Sequence, residues 1–179
     1  MQRVAIVGTT GSGKTTYARS LAARLGVSHL ELDALLWGPR WTPAAPEVFR
    51  AHVDAATAAP AWVSDGNYTS LVRDLVWARA DTLVWLDFSL PLVVWRLLRR
   101  IVQRIRTGEE LWPGTGNRET VRNAFFQRDP LLLYAIRTHR RRRRLFVEAL
   151  GRPASAHLAV HRFGSPREAE RWLASVERS

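Results

Sequence analysis

The chain has 179 residues, no cysteine, and 27 basic against 16 acidic side chains, for a formal net charge of +11. Its 46% apolar and 24% charged residues can bury a core, which excludes a disordered or disulfide-stapled class. The longest apolar run, TLVWLDFSLPLVVWRLL, is interrupted by Asp87, Pro91 and Arg96 and is too broken to span a bilayer.

In chain order, RVAIVG predicts a buried parallel strand ending at Gly8. The N-terminus enters this strand pattern without signal-peptide anatomy, so the cytoplasm is the expected compartment. Lys14 to Leu25 predicts a helix with Tyr17, Leu21 and Leu25 on one face and Gly26 as its stop. VSHLELD predicts a second strand running to Asp33, and WGPRWTPAAP a loop. Glu47 to Thr57 predicts a helix, AWVSDG a third strand ending at Asp65, and Ser70 to Ala80 a short helix. TLVWLDF is the fourth strand. Leu90 to Arg106 predicts a helix that carries Pro91 in its first turn. TGEELWPGTGN is a polar, glycine-rich loop, followed by predicted helices at Glu119 to Gln127 and Pro130 to Leu150. AHLAVHRF is the last strand. The final helix has Ser165 as its cap, Pro166 at the first helical position and Glu168 three residues after the cap. Strands alternating with helices predict an α/β sandwich around a mostly parallel sheet.

Gly8-Thr9-Thr10-Gly11-Ser12-Gly13-Lys14-Thr15 matches G-x-x-x-x-G-K-[ST] at full spacing, between a strand and a helix. In that context the glycines let main-chain N–H groups turn inward around phosphate oxygens, and the helix N-terminus adds its positive end. The segment Gly8 to Thr16 is therefore the expected nucleotide contact. Lys14 is expected on the β- and γ-phosphates of ATP and Thr15 on Mg²⁺. Lys14 is also the only lysine of the chain, the other 26 of its 27 basic residues being arginine. A compact, rotatable ammonium stands where a planar guanidinium would not serve.

Three acids follow strand patterns. Asp65, before Gly66, is a candidate to hold Mg²⁺ through water, with Asp87 as the competing acid. Asp33 could accept a hydrogen bond from a substrate hydroxyl and orient it for attack. Trp37 and Trp41, in the loop after Asp33, could wall a substrate pocket. The five histidines show no metal spacing and receive no role.

VAIVGTTGSGKTTYARSLAARLG, LELDALLW, VSDGNY and TLVWLDFSLPLVVWRLLRR together resemble the adenylate-kinase-like P-loop kinases, and within them the DNA-topology-modulation branch. The resemblance implies one domain over 1–179 with a three-layer P-loop NTPase fold. Its five-stranded parallel sheet has the order 2-3-1-4-5, and a helical, arginine-rich lid is inserted at about 100–130. SDGNY stands where nucleotide kinases carry Asp-Gly-Phe-Pro-Arg. Asp65 and Gly66 match that pattern, Asn67 and Tyr68 depart from it, and the arginine that would clamp a nucleotide phosphate is absent. The resemblance places Asp33, Gly66, Asn67 and Tyr68 toward the phosphate acceptor.

The charge excess lies in one block, since residues 91–150 carry 14 basic and 5 acidic side chains while residues 1–90 carry eight of each. A lid that neutralises transferring phosphate and excludes water accounts for such a block. Its expected arginines are Arg118, Arg128 and Arg137, with Arg99, Arg100 and Arg104 on the flanking helices. Within the run Arg140 to Arg144, the face shared by Arg137, Arg141 and Arg144 is the candidate cleft face. Arg140 and Arg143 are expected beside the apolar face with Leu133, Ile136 and Phe146. Two functions fit. One is an ATP·Mg²⁺-dependent transfer to a small nucleotide, nucleoside or hydroxyl acceptor. The other is a nucleic-acid-associated ATPase that uses the basic block on phosphates.

Overall fold

The computed structural model describes residues 1–67, 71–122 and 130–177. Strand β1 (Arg3–Gly8) leads through the cradle to helix α1 (Lys14–Leu25), which Gly26 ends at φ 65°, its N–H bonded to the Ala22 carbonyl. This left-handed stop is one that glycine adopts without steric cost. Next come β2 (Ser28–Glu31), α2 (Leu32–Leu36), β3 (Trp37–Gly38), β4 (Thr42–Pro43), α3 (Pro46–Thr57), β5 (Trp62–Asp65) and α4 (Arg73–Arg79). The remainder is β6 (Thr82–Leu86), α5 (Leu90–Thr107), α6 (Leu131–Leu150), β7 (Ala159–Phe163) and α7 (Pro166–Ser175). Ser165 and Glu168 close the expected capping box on α7. None of the helices described is long and apolar enough to cross a membrane.

Five parallel strands form one sheet in the order β2-β5-β1-β6-β7. These labels differ from the expected 2-3-1-4-5 because a two-stranded ribbon, β3 with β4, takes two numbers in between. Alternate residues of each strand face opposite layers. Val4, Ile6, Val63, Val84 and Leu86 pack on Tyr17, Leu21 and Leu25 of α1 and Ala169 of α7. Ala5, Val7, Trp62, Leu83 and Trp85 pack on Phe49 and Val53 of α3, Val76 and Trp77 of α4, and Phe146 and Ala149 of α6. The chain is thus a three-layer α/β sandwich, with β1 at its centre.

Two local expectations change. Asp33 does not end the second strand. β2 stops at Glu31, and Asp33 lies in the first turn of α2, where a carboxylate meets the positive helix end. The segment read as a loop is the β3–β4 ribbon, turned through Arg40 at φ 56° and Trp41 at φ 58°. Two adjacent non-glycine residues in the left-handed region store strain. The Asn117 side chain holds that turn, accepting from Trp41 N at 2.9 Å and donating to the Gly38 carbonyl at 2.9 Å. The predicted helix at Glu119 to Gln127 falls largely outside the described residues.

Trp62 is fully buried, and its Nε1 donates to the Thr57 carbonyl at 3.1 Å. Trp62→Ala is expected to lower the unfolding free energy by about 3–5 kcal/mol, read by urea denaturation.

Candidate phosphate-binding site

The cradle begins where β1 meets its neighbours. Gly8 lies opposite Leu86 of β6, and Ile6 lies opposite Asp65 of β5. A Cβ on Gly8, at φ 155°, would sit 2.7 Å from the Leu86 carbonyl oxygen and 2.8 Å from Ser12 Oγ. One on Gly11, at φ 90°, would sit 2.8 Å from the Val93 carbonyl of α5. Both positions exclude a side chain, so the loop can curl inward. Ser12 N donates to the Thr9 carbonyl at 3.0 Å, and Lys14 Nζ reaches across to the same carbonyl at 3.3 Å. Ser12 Oγ is buried with no hydrogen-bond partner among the described residues. A buried orphan hydroxyl at the start of α1 fits a phosphate oxygen. Thr15 lies partly exposed in the first turn of α1, and Thr10 and Thr16 border the same loop.

Around Lys14 the carboxyl ends of β2 and β5 bring acids together. Glu31 and Asp65 are paired across the two strands, and Asp33 follows two residues on. Burial pulls the Lys14 ammonium down to about 8; Asp65 and Asp33 raise it, while Arg142 and Arg100 lower it further. Burial also lowers Arg100 to about 10, with Arg104 acting the same way and Glu119 and Asp33 opposing. Glu31 is raised by burial and by Asp65 and Asp33, against the hydrogen bond from Trp112 Nε1 at 3.1 Å. Asp65 is buried, with His29 Nε2 3.6 Å away. The charges that act on Lys14 thus come in both signs, Asp65 and Asp33 against Arg142 and Arg100.

No protein-family model and no curated protein matches the sequence. Solved structures do. Shikimate kinase from Acinetobacter baumannii, in complex with shikimate, superposes with a TM-score of 0.57 at 19% identity, covering 97% of this chain and 91% of the other. Shikimate kinase from Bacteroides thetaiotaomicron gives 0.55 at 15%, covering 97% and 94%. A sugar kinase from Janibacter sp. gives 0.51 at 20%, covering 97% and 93%. The chain has the fold of these P-loop kinases.

Within that P-loop kinase fold, Arg100, expected on a flanking helix, does act on Lys14, and beside it stand Arg96 and Arg142, which the sequence did not single out. Arg96 Nη1 donates to the Ser12 carbonyl at 3.2 Å while its guanidinium stacks on Phe88. Arg100 and Arg142 are the two that act on Lys14. Arg137, Arg141 and Arg144 are exposed. The inward face of α6 is instead Ala135, His139, Arg142, Phe146 and Ala149, all buried except the partly exposed Arg142. Arg137 is two residues from His139 and so roughly 200° around the helix. Leu133 and Ile136, expected on the apolar face, are exposed, and Arg143 pairs with Asp87 at 3.1 Å. Arg118 pairs with Glu110 through an isolated antiparallel main-chain bridge and lays its Nη1 against Gly108, 3.6 Å from where a Cβ on that glycine would stand. Gly108 ends α5, roughly 16 Å along the helix from Leu97 beside the cradle. Tyr68 and Arg128 lie outside the described residues.

Other side chains also change roles. His139 Nδ1 hydrogen-bonds Thr9 Oγ1 at 3.1 Å, and burial keeps that imidazole below its usual pKa. Asp87, the competing acid, is taken up by Arg143 and by Arg162 at 2.5 Å. Trp37, Trp41 and Trp112 meet edge to face at 6.0 and 5.6 Å, and Trp112 caps Glu31. The glycine-rich loop therefore rests on the ribbon beside the acids. No local pattern could have found His139, which contacts a residue 130 positions away.

A lysine whose folded pKa is depressed from 10.5 to about 8 costs stability while protonated, and that cost disappears as pH rises from about 8 to 10.5. Lys14→Met is expected to raise the stability of the ligand-free protein at pH 7 by about 1–2 kcal/mol, a gain that shrinks across that pH window. Thermal melts at pH 7, 8.5 and 10 check this.

Proposed function

We propose that the protein is an ATP-dependent kinase that moves the γ-phosphate of ATP to the hydroxyl of a small acceptor. The observation that carries this reading is the convergence on Lys14 of a glycine cradle, two arginines and the acids at the ends of β2 and β5. In this reading Gly8 to Thr16 wraps the triphosphate and Lys14 engages its terminal phosphates. Arg100 and Arg142 neutralise the group in transit. Thr15 and Asp65 would hold Mg²⁺, which screens phosphate charge when bound. Asp33 accepts the hydrogen bond of the acceptor hydroxyl and turns its lone pair toward phosphorus, taking the proton as the new O–P bond forms and the bond from the γ-phosphorus to the β–γ bridging oxygen breaks, releasing ADP.

Glu31, Asp33 and Asp65 make the acceptor side acidic, which repels a phosphate-bearing acceptor and suits a neutral hydroxyl compound. The Trp112 and Trp41 indoles offer apolar faces for its C–H surface. The names of the structural neighbours, shikimate kinase and sugar kinase, fit a small acceptor that is not a nucleotide. In this reading Arg118 and Arg137 meet the phosphate once the loop and α6 rearrange on closure, and Arg128 is a further lid arginine outside the described residues.

The outward arginines of α6 favour a second reading, a nucleic-acid-associated ATPase akin to the DNA-topology-modulation branch. Arg137, Arg140, Arg141 and Arg144 are all exposed on that helix.

A transfer screen with γ-labelled ATP across nucleosides, nucleotides and small polyols is expected to label a polyol. Lys14→Ala should abolish labelling by about 10³-fold or more. Asp33→Asn should lower kcat by about 10²–10⁴-fold with little change in nucleotide affinity. ATP turnover that appears only when DNA is added, with salt-steep DNA binding untouched by Lys14→Ala, would replace the kinase reading with the second one.

A further inference from the structure

We infer that Asn67 is a positioning residue of the phosphate cradle, and that its amide sets the first peptide of the cradle for nucleotide. This rests on the nucleotide-binding reading above and departs from the expectation that Asn67 faces the acceptor. Asn67 Oδ1 accepts from Gly8 N at 3.2 Å, and Asn67 Nδ2 donates to the Gly8 carbonyl at 2.5 Å. One planar amide, 59 residues away in sequence, thus takes both main-chain groups of the first cradle residue.

The backbone is threaded to deliver it there. Gly66 N still bonds the Ile6 carbonyl at 3.4 Å, the last rung between β5 and β1. Gly66 itself stands at φ 148°, and a Cβ on it would lie 2.9 Å from Leu32 Cβ and Cδ1. One residue further on, the main-chain ladder stops and the Asn67 side chain replaces it. The C=O and N–H of a trans peptide point in opposite directions. Holding the Gly8 carbonyl therefore fixes where the Thr9 N–H points, while His139 holds the Thr9 hydroxyl from α6. Among side chains of this size only an asparagine amide offers a donor and an acceptor in this spacing. Leucine fills the space and makes neither bond. Aspartate keeps the shape and the bond from Gly8 N, but its carboxylate repels the Gly8 carbonyl and adds negative charge beside a polyphosphate.

The test measures Mg·ADP and Mg·AMP-PNP affinity by calorimetry for the full chain, Asn67→Leu and Asn67→Asp, with ligand-free melting temperatures alongside. The expected result is a loss of roughly 10-fold for Asn67→Leu and roughly 100-fold for Asn67→Asp for both nucleotides, with the two variants melting close to wild type. A space-filling strut gives the opposite order, since Asn67→Asp preserves the shape, and that order overturns the inference. Affinity that falls only in step with lost folded protein overturns it too. Should Asn67→Leu fail to fold, Asn67→Asp decides alone. Wild-type binding with unchanged variants removes the role of Asn67 and leaves the nucleotide reading standing; no wild-type binding removes both.

Discussion

The Lys14 ammonium is partly withdrawn from water at the carboxyl edge of the sheet, with charges of both signs around it. Burial draws it down to about 8, Asp33 and Asp65 hold it up, and Arg100 and Arg142 push it down. In a partly desolvated site each of these interactions is stronger than it would be in water. The parallel sheet makes the arrangement possible. Because β2, β5 and β1 run the same way side by side, their carboxyl ends bring Glu31, Asp65 and the cradle to one edge. At that edge two guanidinium groups and an ammonium repel one another.

Helix α6 has two faces with different tasks. Inside, Phe146 and Ala149 join the core over the sheet, while His139 and Arg142 lie toward the cradle and Lys14. Arg143 and Arg162 both hold Asp87, which ties α6 to the ends of β6 and β7. The helix is therefore fixed at its core end by packing and near the cradle by polar bonds. Of the five consecutive arginines, Arg143 enters a structural ion pair, Arg142 hydrogen-bonds the Tyr134 hydroxyl of its own helix while adding positive charge near Lys14, and Arg140, Arg141 and Arg144 face solvent.

The ribbon after α2 has strands of two residues each, too short to persist alone. It persists because Asn117 bonds its main chain at Trp41 and Gly38 and because the indoles of Trp37, Trp41 and Trp112 interlock. The same contacts lay the glycine-rich loop over Glu31, so the conformation of one loop depends on the other. The left-handed turn at Arg40 and Trp41 is sustained by those bonds across the interface.

The sequence by itself determined the parts governed by local backbone rules. The cradle spacing, the glycine stop of α1, Pro91 in the first turn of α5, the Ser165 capping box and the strand–helix alternation all act within a few residues, and all stand in the structure. Only the tertiary structure decided which side chains meet at the site. Arginine is equally plausible on every face of α6, and the apolar Leu133 and Ile136 pointed to the wrong inward face. The actual phase is set by how Ala135, Phe146 and Ala149 pack. Asn67 to Gly8, His139 to Thr9 and Asn117 to the ribbon are long-range polar bonds between side chain and cradle or ribbon. Such bonds depend on the distance between elements brought together by the core, and no periodicity along the chain records that distance.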